Sequence, residues 1–257
     1  MCGIAGLHRS GPIQAGDADR VARMLGTLAH RGPDAQAVRT AGHSVLGSAR
    51  LAIVDVAHGT QPFANEDGSV QVVYNGEIYN HAALRRDLLA RGHRLLTRSD
   101  GEVIAHLYEE FGEDALQRLD GQFAIALVDC RRHQLLLARD ALGICPLHWA
   151  EHDGMLAFAS EVKGLAAGLA LALRPEPDAL LQMAYFGTVC APLSAFAGIQ
   201  QLEPATWMRV DDDGRRASRR WWQLQFPTQS DQQDISDSEA ADVSLLMAFC
   251  RILLLFQ

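Results

Sequence analysis

The chain is short of several things that would place it at once. No apolar stretch is long enough to cross a bilayer. The apolar stretch Val243–Phe256 is interrupted by Ser244 and Arg251, whereas a spanning helix needs about 20 apolar residues. There is no basic excess: 23 Lys and Arg stand against 31 Asp and Glu, for a formal net charge of −8. That balance excludes the electropositive footprint of a nucleic-acid binder. No basic segment followed by an apolar one opens the chain, so no secretory leader is expected. Cysteine is sparse and scattered. Cys2, Cys130, Cys145, Cys190 and Cys250 are odd in number and lack CxxC spacing, so neither a zinc site nor a disulfide framework is expected, and no metal centre. A reducing, cytoplasmic setting fits that usage. No Walker-type Gly-Lys loop for nucleotide phosphates occurs either.

What remains is an ordinary globular composition. The 257 residues are 48% hydrophobic and 21% charged, enough for one large domain or two small ones. Asp17–His30 carries Val21, Met24, Leu25 and Leu28 at helical spacing, and Arg31-Gly32-Pro33-Asp34 ends it. His43–Val54 and Val70–Asn75 read as strands, with Asn65-Glu66-Asp67-Gly68 as the turn between them. Asn80 is placed to cap a helix over His81–Arg91, closed by Gly92. Ser99 or Asp100 is placed to cap another, with Val103, Ile104, Leu107, Tyr108 and Phe111 as its apolar stripe and Gly112 as its stop. Three strand-like runs follow, Phe123–Cys130, Gln134–Arg139 and Met155–Ser160, with a turn at His152-Asp153-Gly154. No strand–helix alternation appears, so a parallel doubly wound sheet is not expected. Pro175-Glu176-Pro177 marks a candidate boundary. Beyond it come a helix over Ala179–Phe186 and a hairpin of Ala205–Val210 with Arg219–Leu224. Residues 226–257 read as a polar, acidic linker and an apolar tail.

The chemistry starts at Cys2. Removing Met1 leaves a thiol and a free α-amine on one residue, and an α-amine of pKa about 7.7–8.0 is a base suited to neutral pH. The alternative is a small hydrophobe in a first strand. In Tyr74-Asn75-Gly76-Glu77-Ile78-Tyr79-Asn80, the Asn75 amide and the Gly76 backbone are candidate oxyanion donors, and Glu77 is a candidate acceptor for an ammonium group. Taken alone, Asn75-Gly76 equally suits a hairpin turn. Arg50 suits a carboxylate or plain solvent. Asp100 suits an ammonium group or a helix cap.

Residue patterns leave these readings open; a resemblance carried by a longer series of motifs decides among them. Cys2-Gly3-Ile4-Ala5-Gly6, Arg31-Gly32-Pro33-Asp34, Arg50-Leu51-Ala52-Ile53-Val54-Asp55, Gln61-Pro62, Asn75-Gly76-Glu77-Ile78-Tyr79-Asn80 and Ser99-Asp100-Gly101-Glu102-Val103-Ile104 follow one another. Asp120-Gly121-Gln122-Phe123-Ala124, Arg139-Asp140-Ala141-Leu142-Gly143-Ile144-Cys145-Pro146-Leu147 and Ala159-Ser160-Glu161-Val162-Lys163 come after them. Over residues 2–225 the chain resembles the class II glutamine amidotransferase domain of glutamine-dependent asparagine synthetases. The resemblance implies an α+β, N-terminal nucleophile hydrolase fold, an αββα sandwich of two antiparallel sheets between helical layers. It implies hydrolysis of glutamine to glutamate and ammonia, with Cys2 as nucleophile and Asn75 and Gly76 as the oxyanion hole. It implies that Arg50 holds the substrate α-carboxylate, that Glu77 and Asp100 hold its ammonium, and that the Ile53 backbone lines the pocket. No cofactor is implied for that step. ATP and Mg belong to an ATP-pyrophosphatase half, whose Ser-Gly-Gly-x-Asp-Ser loop is absent here, so an ATP-dependent synthetase partner is implied if the full reaction is run. A homodimer stays open. Two departures stand out: Gly101, where family members often carry Cys or Thr, and His148, where Tyr is usual.

Overall fold

The computed structural model describes residues 2–56 and 58–225; the linker and tail expected over 226–257 lie outside the described residues. In chain order the strands are β1 (Gly3–Arg9), β2 (Ala35–Ala41), β3 (Ser44–Arg50), β4 (Phe63–Ala64), β5 (Val70–Ile78), β6 (Gly121–Asp129), β7 (Gln134–Arg139), β8 (His148–His152), β9 (Met155–Ala159), β10 (Gln200–Gln201), β11 (Thr206–Val210) and β12 (Arg216–Arg220). The helices are α1 (Asp17–Thr27), α2 (His81–Ala90), α3 (Glu102–Phe111), α4 (Val162–Leu169) and α5 (Pro177–Phe186), with a 3-10 segment over Gly112–Arg118.

The strands form two six-stranded sheets, ordered β10-β8-β9-β1-β3-β2 and β12-β11-β7-β6-β5-β4. Neighbouring strands pair antiparallel within both, so no parallel ladder occurs among the described residues. Strand alternation builds three apolar layers from this arrangement. Ile4, Leu46 and Phe158 of the first sheet meet Val73, Ala124 and Leu137 of the second between the sheets. Ala5, Leu7 and Ala157 face the other way, against Val21, Met24 and Leu25 of α1 and Leu165 of α4. Tyr74, Ile78, Phe123 and Ile125 face Leu84 and Leu88 of α2 and Val103 and Leu107 of α3. Helix, sheet, sheet, helix is the expected αββα sandwich. Since β1 is buried on both faces along its whole length, its first five residues, Gly3–Leu7, form an apolar run rather than an alternating one.

Several local expectations need correction. The strand starting near His43 stops at Arg50, and residues 51–56 and 58–62 have neither helix nor strand. The Asn65–Gly68 turn therefore joins β4 to β5, not β3 to β5. Its geometry is set by Asn65, whose carbonyl accepts from Gly68 N at 3.1 Å and whose Oδ1 accepts from Val70 N at 2.9 Å. β5 runs on through Asn75-Gly76 to Ile78. The second strand of the C-terminal hairpin begins at Arg216 and ends at Arg220, earlier than the expected Arg219–Leu224, and β11 pairs with β12 from Thr206↔Arg220 to Val210↔Arg216. Pro177 opens α5, as its preset φ allows at a first helical turn.

Candidate active site

Four segments meet at one edge of the sandwich. Cys2 immediately precedes β1 in the first sheet. The loop after β3 starts at Arg50. β5 brings Asn75-Gly76-Glu77 from the second sheet, and the turn before α3 brings Ser99-Asp100. Together they line a cleft of about 230 Å³ whose walls include Cys2, Arg50, Ile53, Gly76, Glu77 and Asp100. That is below the roughly 300–1,000 Å³ of drug-sized pockets, a size suited to a single amino acid. Six of the seven residues expected at the site thus share one cleft. The seventh, Asn75, is fully buried beside it.

Cys2 is half-buried. Its Sγ accepts from Leu51 N at 3.4 Å and lies 3.8 Å from Leu51 O. Burial pushes its thiol pKa up, against the smaller lowering by the Leu51 backbone and the Arg50 charge. A thiol held in that state needs a base before it attacks. The Cys2 carbonyl accepts from Arg31 Nε at 3.0 Å, and Arg31 Nη1 donates to Glu161 Oε1 at 2.9 Å. Burial alone would raise the Glu161 pKa, but hydrogen bonds from Arg31, Lys163 and His30 hold it down to about 2. The Arg31-Gly32-Pro33-Asp34 stop thus also anchors the Cys2 backbone, while Asp34 Oδ2 accepts from Ala52 N at 2.7 Å and fixes the loop after β3.

Arg50 is 7% exposed. Its guanidinium donates to the carbonyls of Val56, Val54 and Asp55 at 3.0, 3.2 and 2.7 Å. It therefore organises the loop it leads, and two of its five N–H donors remain for a ligand carboxylate. Ile53 is 60% exposed and lies in the cleft wall.

Asn75 and Gly76 are not a turn. Both sit within the β5–β6 ladder, opposite Ala124 and Phe123. Gly76 has φ +155°, and a Cβ there would fall 2.0 Å from Gln122 O and 2.7 Å from Phe123 Cα; the β6 backbone occupies the space a side chain needs. Among the described residues, neither Nδ2 nor Oδ1 of Asn75 has a hydrogen-bond partner. A buried amide left unpaired costs about 1–3 kcal/mol per group, so its presence beside the cleft needs a reason.

Glu77 has its pKa raised by burial first and by the Asp100 charge second. Asp100 is 3% exposed. One of its oxygens accepts a short bond from the Tyr74 hydroxyl, the other accepts from Ile78 N at 2.9 Å. The capping reading of Asp100 is therefore corrected: Gly101 stands at the head of α3 and no side chain caps it, because Asp100 is bonded across to β5. Asn80 likewise stands at the head of α2 without capping it. Its side chain spans to Arg118 O and Asp120 N, at 2.8 and 3.1 Å. Gly101 also has a packing reason, since a Cβ there would meet Tyr74 Cε1 at 2.0 Å.

Sequence reasoning gave no role to Arg31, Gln61, Tyr74 or Glu161. Gln61 Nε2 donates to Tyr74 O at 3.0 Å, and Gln61 Oε1 accepts from Tyr74 N at 2.8 Å. The β4–β5 ladder stops at Phe63↔Val72, and the Gln61 side chain makes the next two bonds in its place. These residues lay in recognised motifs, but side-chain to backbone bonds between distant segments leave no local pattern.

Two antiparallel sheets between helices make the N-terminal nucleophile hydrolase sandwich. The solved structures share that fold. Glutamine phosphoribosylpyrophosphate amidotransferase from B. subtilis aligns with a TM-score of 0.62 at 19% identity, over 87% of this chain and 50% of that one. An allosteric regulatory enzyme of purine biosynthesis aligns at 0.63 and 20%, with the same coverage. The chain belongs to the glutamine amidotransferase domain family, whose profile matches residues 1–222. Among curated relatives, asparagine synthetase [glutamine-hydrolyzing] 2 of Oryza sativa subsp. japonica is 45% identical over 168 residues, 65% of this chain and 28% of that protein. Asparagine synthetase [glutamine-hydrolyzing] 3 of Bacillus subtilis (strain 168) is 35% identical over 224 residues, 86% of this chain and 36% of that protein. The chain therefore spans about a third of the length of these relatives. No helix among the described residues is long and apolar enough to cross a membrane.

Proposed function

We propose that this chain hydrolyses glutamine to glutamate and ammonia at the Cys2 cleft, as the glutamine-hydrolysing part of an asparagine-synthetase type of reaction. The observation that carries the reading is the convergence of a thiol, an arginine, two carboxylates and an unpaired buried amide on one amino-acid-sized cleft. Once Met1 is removed, the Cys2 α-amine takes the thiol proton and Sγ attacks the side-chain carbonyl carbon of glutamine. Asn75 Nδ2 and the Gly76 backbone stabilise the oxyanion. The amine returns its proton to the leaving nitrogen, ammonia departs, and a thioester stays on Cys2. Water then attacks the thioester, giving glutamate and restoring the thiol. Arg50 takes the α-carboxylate through its remaining donors, and Glu77 and Asp100 take the ammonium. The step needs neither metal nor cofactor. ATP and Mg enter only through a synthetase half supplied elsewhere, and a reducing cytoplasmic setting keeps the thiol free.

The test is glutamate release from glutamine without ATP, on protein whose N-terminal residue is verified as Cys2. The expected result is turnover that Cys2→Ala abolishes while leaving the thermal transition in place. No glutamate from correctly processed protein overturns the reading and leaves a non-catalytic module on this scaffold. Copurification of an ATP-binding protein that makes release depend on its acceptor supports the synthetase partner; its absence under those conditions restricts the function to glutaminase.

A further inference from the structure

A second cluster of chemistry-bearing side chains lies away from the Cys2 cleft, where the β4–β5 turn, the loop after α2 and the middle of α3 meet. We propose that Glu66, His93, His106 and Glu109 bind one divalent transition-metal ion of the zinc class. One ligand atom from each of the four lies within 4.8 Å of all the others. This goes against the absence of a metal centre expected from the cysteine pattern, because the ligands come from three segments and make no short motif.

Three contacts within the cluster have the length of a metal polyhedron's edges, and Glu109 lies within 4.8 Å of the other ligands. The His93 and His106 Nδ1 atoms are 3.2 Å apart. Glu66 Oε1 is 3.2 Å from His93 Nδ1, and Glu66 Oε2 is 3.3 Å from His106 Nδ1. Zinc–nitrogen bonds of about 2.0–2.1 Å in a tetrahedron give ligand–ligand edges of about 3.3 Å. His106 and Glu109 lie three residues apart on one face of α3, which leaves Glu109 for the fourth position.

The hydrogen bonding points the same way. His93 Nε2 lies 3.1 Å from Glu110 Oε1. A proton on that nitrogen turns the Nδ1 lone pair into the cluster, the arrangement in which a carboxylate orients a metal-bound imidazole. Two Nδ1 atoms in contact need a proton or a cation between them. His106 is fully buried, and among the described residues its Nε2 has no partner and its Nδ1 meets the cluster. The carboxylates are held from behind: Arg94 N donates to Glu66 Oε1 at 2.7 Å, and Asn65 Nδ2 donates to Glu109 Oε2 at 3.0 Å. Two carboxylates balance a dication. Two imidazoles favour zinc, copper or nickel over magnesium or calcium. A surface hollow of about 550 Å³, walled in part by Glu66, His93 and Glu109, gives the ion an entry path. Bound there, the ion ties the loop that carries Ser99-Asp100 to α3 and to the β4–β5 turn.

Cobalt(II) and zinc(II) are the probes. The full chain, stripped with a chelator, is titrated with Co2+ and followed by electronic absorption, then back-titrated with Zn2+. The expected result is one Co2+ per chain with tetrahedral d–d bands, no thiolate-to-cobalt charge transfer, and full displacement by Zn2+. His93→Gln and Glu109→Gln, on half-buried and exposed positions that should spare the fold, each lower the Zn2+ affinity at least about ten-fold, and Glu110→Gln lowers it about 10–100-fold through His93. Zinc raises the thermal midpoint of the wild type and not of His93→Gln. A featureless Co2+ titration, a thiolate band that places the metal on cysteine, or an affinity unchanged in both His93→Gln and Glu109→Gln overturns the proposal.

Discussion

Gln61→Met removes two hydrogen bonds and almost no volume. Gln61 is 4% exposed, and its amide makes both bonds to the Tyr74 backbone, at 3.0 and 2.8 Å. Methionine fills the same space but leaves Tyr74 N–H and C=O bare on that side. Stranding a buried polar group costs about 1–3 kcal/mol, so two groups give roughly 2–6 kcal/mol by that rule. The cleft lies alongside, with Gln61 and Tyr74 both in its wall, and water reaching it relieves part of the cost. The lower end, about 2 kcal/mol, is therefore expected. In a domain of this size each kcal/mol moves the thermal midpoint by about 2–4 °C, so a fall of about 4–8 °C follows. Urea unfolding checks the energy through a lowered midpoint at unchanged slope, and calorimetry checks the temperature. Because Tyr74 leads directly into Asn75-Gly76, kcat for glutamate release falls more than KM for glutamine rises. A Gln61→Met protein within about 0.5 kcal/mol of wild type, the range of ordinary surface substitutions, refutes the idea that this side chain completes the ladder.

Three further outcomes follow from the same geometry. Asn75→Ala lowers kcat about 10²–10³-fold, the loss typical of one oxyanion donor, yet leaves chemical stability equal or higher, because both of its polar atoms are unpaired in the free protein; a marked loss of stability would contradict this. Glu77 has a folded pKa raised above its unfolded value of 4.5, so its contribution is full below pH 4.5 and is lost as pH rises through the folded value. Glu77→Gln is therefore more stable than wild type at pH 7, with the gap closing towards pH 4 in urea titrations, and it raises KM for glutamine. Glu161 behaves oppositely. Its pKa falls from 4.5 to about 2 on folding, so the stability it adds over Glu161→Gln is present above pH 4.5 and disappears as pH drops to 2. A gap that persists at pH 2 counts against the Arg31–Glu161 pair as its source.

Where one face of an element is buried, the pattern was readable. The α1 stripe of Val21, Met24 and Leu25 is fully packed, and β6, β7 and β9 lie where apolar runs predicted them. β2 escaped because it is the outer strand of its sheet and mostly exposed, so Gln36, Arg39 and Thr40 carry no apolar alternation. β8 escaped because only Ala150 of its five residues is fully buried. Asn75-Gly76 shows the limit most clearly. The dipeptide has the composition of a tight turn, but pairing with β6 on one side and the Gln61 support at Tyr74 on the other hold it extended. Local propensity lost to tertiary pairing there. The motif order gave the site residues without giving their bonds: nothing near Arg50 in the chain says that the loop it leads takes three of its donors.

The cleft is arranged against its own stability. Asn75 is a buried amide without partners, Glu77 is a carboxylate whose charge burial and Asp100 both oppose, and Cys2 is a thiol whose ionisation burial opposes. Substitution by small apolar or neutral residues would relieve each of these at no cost to the sandwich. In the proposed reaction glutamine offers each a counterpart: an oxyanion for the Asn75 amide, an ammonium for Glu77, and a carbonyl carbon for the Cys2 sulfur. A scaffold that had given up catalysis would gain stability by losing these groups one at a time, since sites tuned for function commonly trade against stability. Their joint presence around one cleft argues for a working active site more strongly than the fold does, because the fold alone hosts many functions. The same reasoning makes ligand binding and stability two readings of one property: a glutamine-like ligand that fills the cleft should stabilise wild type more than Asn75→Ala or Glu77→Gln, in proportion to the unmet groups each variant has removed.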